Sequence, residues 1–113
     1  MKIKNTKNSE HYNWGNNCDG WHLLNTNSLS IIQEKMPPKT EESLHFHSKA
    51  QQFFFILKGT ATFEVNKKSY EVKENNGFHI LSNEIHKVYN KSDKDLEFIV
   101  VSEPKSHGDR TNV

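Results

Sequence analysis

At 113 residues, with 15 Lys and Arg against 14 Asp and Glu and a net charge of +1, the chain has the size of one domain that buries roughly two-thirds of its unfolded surface. The two signs are interspersed, which argues against a phosphate-tracking surface and against nucleic acid as a partner. Met1 to Glu10 lacks the apolar core of a signal peptide and no window approaches the roughly 20 apolar residues of a membrane span; with one cysteine, Cys18, unable to form an internal disulfide, the expected setting is reducing and cytoplasmic, without membrane contact.

Helical periodicity is hard to find along the chain. Short β-prone runs separated by turn residues recur instead, the pattern of an all-β sandwich or barrel. Residues 1–20 read as an N-terminal arm. Strands are expected over Trp21 to Leu24, Ser28 to Met36, Glu41 to His47, Gln52 to Leu57 and Thr60 to Asn66, and then over Ser69 to Lys73, Phe78 to Leu81, His86 to Asn90 and Asp95 to Ser102. Asn25-Thr26-Asn27, Pro37-Pro38, Lys58-Gly59, Asn66-Lys67-Lys68 and Asn75-Asn76-Gly77 supply the turns, with Gly59 and Asn66 suited to positive φ. Residues 104–113 read as a polar tail. No repeat or linker divides the chain, so residues 1–113 are expected to form one domain.

The run from Phe53 to Leu57 is apolar on both faces. Gln52, Phe54 and Ile56 would share the face that carries His45 and His47. Phe53, Phe55 and Leu57 then need cover, either from the aromatic N-terminal segment (Tyr12, Trp14, Trp21) or from a second copy. A twofold homodimer packing these sheets is the expected arrangement.

His45 and His47 carry the strongest chemical signal. In an extended strand they point to the same side, with Cα atoms roughly 6.6 Å apart, close enough for two rings to converge on one cation at about 2.0–2.1 Å. A third histidine, His86, ends another strand-like stretch. Three neutral imidazoles suit Zn, Fe, Ni, Cu or Mn and leave positions open for water or substrate.

These residues resemble the cupin superfamily, small jelly-roll β-barrels. The family's first motif is written G-x5-H-x-H-x3,4-E-x6-G. Here His45-x-His47, four residues, Gln52, six residues and Gly59 reproduce the spacing, with glutamine where the family has glutamate and Lys39 where it has the leading glycine. In the second motif, G-x5-P-x-G-x2-H-x3-N, His86 and Asn90 match, while Asn75, Leu81 and Asn83 stand in for the glycine, proline and glycine. Asn tolerates a left-handed turn, so two of these replacements are conformationally mild. The resemblance implies a jelly-roll fold and a divalent transition metal in the barrel mouth, held by His45, His47, His86 and Gln52. Gln51 is the alternative to Gln52, although it would lie on the opposite strand face. A neutral amide at position 52 leaves the ion its full charge, which is expected to weaken metal retention, acidify a bound water and favour anionic ligands.

Other chemistry-bearing residues carry blander expectations. His22 and His79 could line a cavity but suit core or edge positions. Cys18 has no basic partner nearby in sequence. Of Glu41 and Glu42 at most one can look inward, where it could act as an acid or base. Tyr70 and Tyr89 fit aromatic packing as well as they fit ligand binding. Ser106, His107 and Asp109, neighbours on a tail, lack the held geometry of a triad.

Two functional classes follow. One is an enzyme whose metal polarises a small sugar or organic acid, for isomerase or dioxygenase-like chemistry. The other is a non-catalytic module that binds a small ligand in the same pocket.

Overall fold

The computed structural model describes residues 2–113. Among them are only strands: β1 (Glu10–Trp14), β2 (Cys18–Asn25), β3 (Ser30–Met36), β4 (Thr40–Glu41), β5 (His45–His47), β6 (Gln51–Lys58), β7 (Ala61–Val65), β8 (Lys68–Val72), β9 (Gly77–Ile80), β10 (His86–Asn90), β11 (Leu96–Glu103) and β12 (Arg110–Asn112). They form two antiparallel sheets with orders β1-β2-β3-β11-β6-β9 and β12-β5-β10-β7-β8, with β4 also pairing β10. The architecture is the expected all-β jelly roll. No helix is long and apolar enough to cross a membrane among the described residues.

Turn chemistry explains the path. Between β7 and β8, Asn66 and Lys67 take φ of 49° and 71°, the paired left-handed geometry that matches the twist of a tight hairpin. Gly59 takes φ of 86°, and a Cβ there would stand 2.7 Å from the Asp95 carbonyl oxygen, so both conformation and space call for glycine. The positions where Lys39, Asn75 and Asn83 replace family residues take φ of 64°, 65° and 68°. The left-handed turns persist without glycine. Asn90 is fully buried; its amide nitrogen donates to the Met36, Pro37 and Lys94 carbonyls, and its oxygen accepts from Ser92. That side chain ties two loops together, which gives the motif asparagine a structural reason.

The sheets close over Met36, Phe54, Ile56, Phe63, Val88, Leu96, Phe98 and Val100, all buried. The Phe54 and Phe63 rings meet edge to face at 4.9 Å, and Phe63 stacks on Phe78 at 4.6 Å. Aromatic pairs of this kind add about 0.5–1.5 kcal/mol beyond area burial. Along β6 the inward residues run Ile56, Phe54, Gln52, and along the neighbouring β11 they run Leu96, Phe98, Val100, Ser102. The interior therefore turns polar towards one end, where the Gln52 amide donates to Ser102 Oγ at 3.1 Å.

Four expectations are corrected. The N-terminal arm is not an appendage: β1 and the start of β2 lie in the first sheet, because alternation in Tyr12, Trp14, Cys18 and Gly20 sends these residues to its inner face. A Cβ on Gly20 would fall 2.3 Å from the Tyr12 ring, so glycine makes room for it. The single strand expected over Glu41 to His47 is broken between β4 and β5, where the Ser43 carbonyl turns to accept from His45 Nδ1. The C-terminal tail forms β12 and pairs with β5. Finally, of the two covers left open for the outer face of β6, the aromatic N-terminal segment (Tyr12, Trp14, Trp21) does not supply it, since Phe53, Phe55 and Leu57 remain 44%, 37% and 39% exposed.

Candidate metal centre

His45 and His47 alternate inward on β5, and His86 starts β10 directly opposite His45. All three are buried. Each offers a ring nitrogen, and these nitrogens lie within 4.8 Å of one another; two nitrogens on opposite sides of one ion would stand about 4.2 Å apart. The His45 and His86 rings are 4.3 Å apart, and the His45 and His47 rings 5.0 Å.

The other nitrogen of each ring is already engaged. Nδ1 of His45 donates to the Ser43 carbonyl at 2.8 Å, that of His47 to the Asp109 carbonyl at 3.1 Å, and that of His86 to the Glu84 carbonyl at 2.8 Å. Each contact fixes the tautomer that leaves a lone pair on Nε2, the arrangement metal-ligating imidazoles adopt. His86 Nε2 is buried with no hydrogen-bond partner, and so is Gln52 Oε1. Orphaned acceptors in a buried site are costly, and a cation held by the three rings would satisfy His86 Nε2. The donor set fits a divalent transition metal.

Electrostatics keep the rings neutral. Burial lowers His45 to about 3 despite its bond to Ser43, with His86, Arg110 and His47 adding repulsion. Burial likewise lowers His47 and His86. Neutral imidazole is the form that binds metal.

Gln52 and Gln51 are separated as strand alternation requires. Gln52 is buried and lines the cavity with His45 and His47. Gln51 is on the outer face, bonded to Glu103 and His79. His79 thus sits outside the cavity. His22 packs inside against Tyr12 and His107, and Cys18 is buried core. Tyr89 lies under the Lys87 ammonium and Tyr70 is exposed, so neither reaches the site. Glu41 pairs outside with Lys87 at 2.6 Å, while Glu42 turns inward.

The centre opens into a cavity of about 350 Å³ walled by Tyr12, Trp14, Glu34, Glu42, Phe54 and Arg110, among others. Glu42 Oε1 accepts from the Val88 amide at 3.1 Å and stands 4.0 Å from His45 Nε2, and its Oε2 is 3.7 Å from the Arg110 guanidinium. Burial pushes Glu42 up to about 7, with Arg110 and the Val88 amide opposing. Burial and the Glu42 charge push Glu34 up to about 8, and burial raises Tyr12.

Arg110 arrives from the tail, which is clamped by Asp109. The Asp109 carboxylate accepts from Ser48 Oγ and from the Lys49 and Ala50 amides, at 2.7–2.9 Å. Slight burial opposes its charge, yet these donors hold it down at about 2. Of the cavity residues, Glu34 was detectable in sequence, since alternation puts it on one face with Ile32 and Met36, a carboxylate among apolar neighbours. Arg110 had no such signal. Nothing local says that a tail folds back onto a histidine 62 positions away.

Comparisons with known proteins agree with the geometry. The Cupin domain model matches residues 32–102. The oxalate-binding protein of Thermotoga maritima is 33% identical, over 71% of this chain and 70% of its own. A Bacillus subtilis HTH-type transcriptional regulator is 37% identical over 59 residues, but the chain spans only 20% of it. Among solved structures, KdgF from Halomonas superposes with a TM-score of 0.84 at 12% identity, covering 95% of this chain and 98% of that one. A Thermotoga maritima structure described as a predicted oxalate decarboxylase gives 0.81 at 23%, covering 92% and 100%. The Streptomyces nucleoside dehydratase Pac13 gives 0.80 at 14%, covering 100% and 91%. Motif spacing, jelly-roll topology and these matches converge: the chain belongs to the Cupin domain family.

Proposed function

We propose that His45, His47, His86 and Gln52 hold one divalent transition metal (Zn, Fe, Ni, Mn or Cu) and that the adjoining cavity binds a small organic acid or sugar for isomerase or dioxygenase-like chemistry. The observation that carries this is the shared orientation of the three rings: each Nδ1 donates to a backbone carbonyl, and His86 Nε2 is left buried without a partner. When bound, a metal of this class supplies Lewis acidity at its open positions. The protein's part is to keep three imidazoles neutral, to enclose the ligand between Phe54, Tyr12 and Trp14, and to present Arg110 to an anionic group. Glu34, raised towards neutral pH by burial and the Glu42 charge, is the group placed to exchange a proton with a ligand.

The test is elemental analysis of protein purified without a histidine tag, beside a His47→Ala variant. About one equivalent of metal in the parent and loss of it in the variant are expected. No metal in either after reconstitution rejects the reading. A non-catalytic binding module is the second reading, favoured by the name of the oxalate-binding relative and by the amide at position 52. Tight binding of small acids without turnover would select it.

The exposed Phe53, Phe55 and Leu57 face supports a homodimer through this sheet, since contiguous apolar surface of that kind marks an interface.

A further inference from the structure

A three-histidine centre completed by a glutamine carries no negative charge of its own, yet a carboxylate stands beside it. Glu42 enters from the short segment between β4 and β5. Its side chain is only 13% exposed, and its Oε1 lies 4.0 Å from His45 Nε2. The carboxylate is held there rather than swinging free. The Val88 amide donates to Oε1 at 3.1 Å, from the strand that carries His86. On the far side, the Arg110 guanidinium is 3.7 Å from Oε2. Glu41, the neighbour with the opposite strand phase, is spent on Lys87 outside.

Gln52 meanwhile shows why it cannot take over this charge. Its amide nitrogen is committed to Ser102, which leaves only a neutral carbonyl oxygen, buried and unpartnered, to face the site. A buried anion whose one charged partner is 3.7 Å away is under-compensated. A dication among three neutral imidazoles has the opposite deficit. The two deficits are adjacent.

We propose that Glu42, and not residue 52, supplies the negative charge of the metal centre, so that the missing family carboxylate has been replaced from the segment between β4 and β5. The proposal rests on the metal-centre reading above. It reverses the expectation that the amide at position 52 leaves a bound ion uncompensated. Arg110, 3.7 Å from Glu42 Oε2, balances part of that charge.

The experiment is cobalt(II) affinity, measured by competition against a chromophoric chelator at pH 7.5, for four full-length proteins: parent, Glu42→Gln, Gln52→Glu and the double variant. Glu42→Gln is expected to weaken binding at least tenfold. Gln52→Glu is expected to restore at least tenfold in the Glu42→Gln background and to gain much less in the parent. A purely structural role for Glu42 would not produce that rescue. Glu42→Gln binding within twofold of the parent overturns the proposal, as does an equal gain from Gln52→Glu in both backgrounds. If Glu42→Gln fails to give a cooperative melt, Glu42→Asp decides: its carboxylate is withdrawn by one methylene, at least threefold weaker binding is expected, and parental affinity overturns. A parent that binds no cobalt rejects the metal centre itself, a different result from any of these.

Discussion

Glu34 gives the sharpest test of how the cavity shapes its acids. In an unfolded chain this carboxyl titrates near 4.5, whereas in the folded protein burial and the Glu42 charge push it up to about 8. Between those values the unfolded chain releases a proton that the folded protein keeps. The sign follows directly: the group costs nothing below 4.5, and folding stability is lost as pH rises from 4.5 towards 8. A separation of about 3.5 pH units at about 1.36 kcal/mol each caps the loss near 5 kcal/mol. Glu34 is only partly buried and faces the cavity, so solvent screening softens it, which leaves about 1–3 kcal/mol. Glu34→Gln keeps the shape and removes the titration. In urea unfolding of metal-free protein, the variant should exceed the parent by less than about 1 kcal/mol at pH 5 and by about 1–3 kcal/mol at pH 8. An advantage that is the same at both pH values, or a parent that is the more stable at pH 8, refutes the reasoning.

Asp109→Ala removes the acceptor of the Ser48 hydroxyl and the Lys49 and Ala50 amides; a loss of about 1–2 kcal/mol is expected, with faster amide exchange confined to residues 106–113. Unchanged exchange there would show that β12 is held by its pairing with β5 alone. For the outer face of β6, Phe53→Asp should shift the parent from dimer to monomer in sedimentation at micromolar concentration, and a parent that is monomeric throughout removes the dimer.

Much of this was legible because local rules and spacing agree. His45-x-His47 announces one strand face, and the H-x3-N spacing brings His86 with a buried, loop-tying Asn90. Lys39, Asn75 and Asn83 look like damaged motif positions, yet all three adopt the left-handed backbone that glycine takes freely. Departures from a motif matter only where they change what the position must do physically. Gln52 is the one that does, since it removes charge.

Alternation, turn residues and histidine spacing are properties of the chain within a few residues, so sequence alone determined the all-β class, the register that turns Gln52 inward and Gln51 outward, and three histidines on inner faces. The cavity wall was decided only by tertiary structure. Tyr12 and Trp14 reach it because β1 adds to a sheet edge, and Arg110 because the tail returns to β5. The partner that each of these side chains meets was set by closure of two sheets over many residues, a long-range packing outcome that no local pattern encodes.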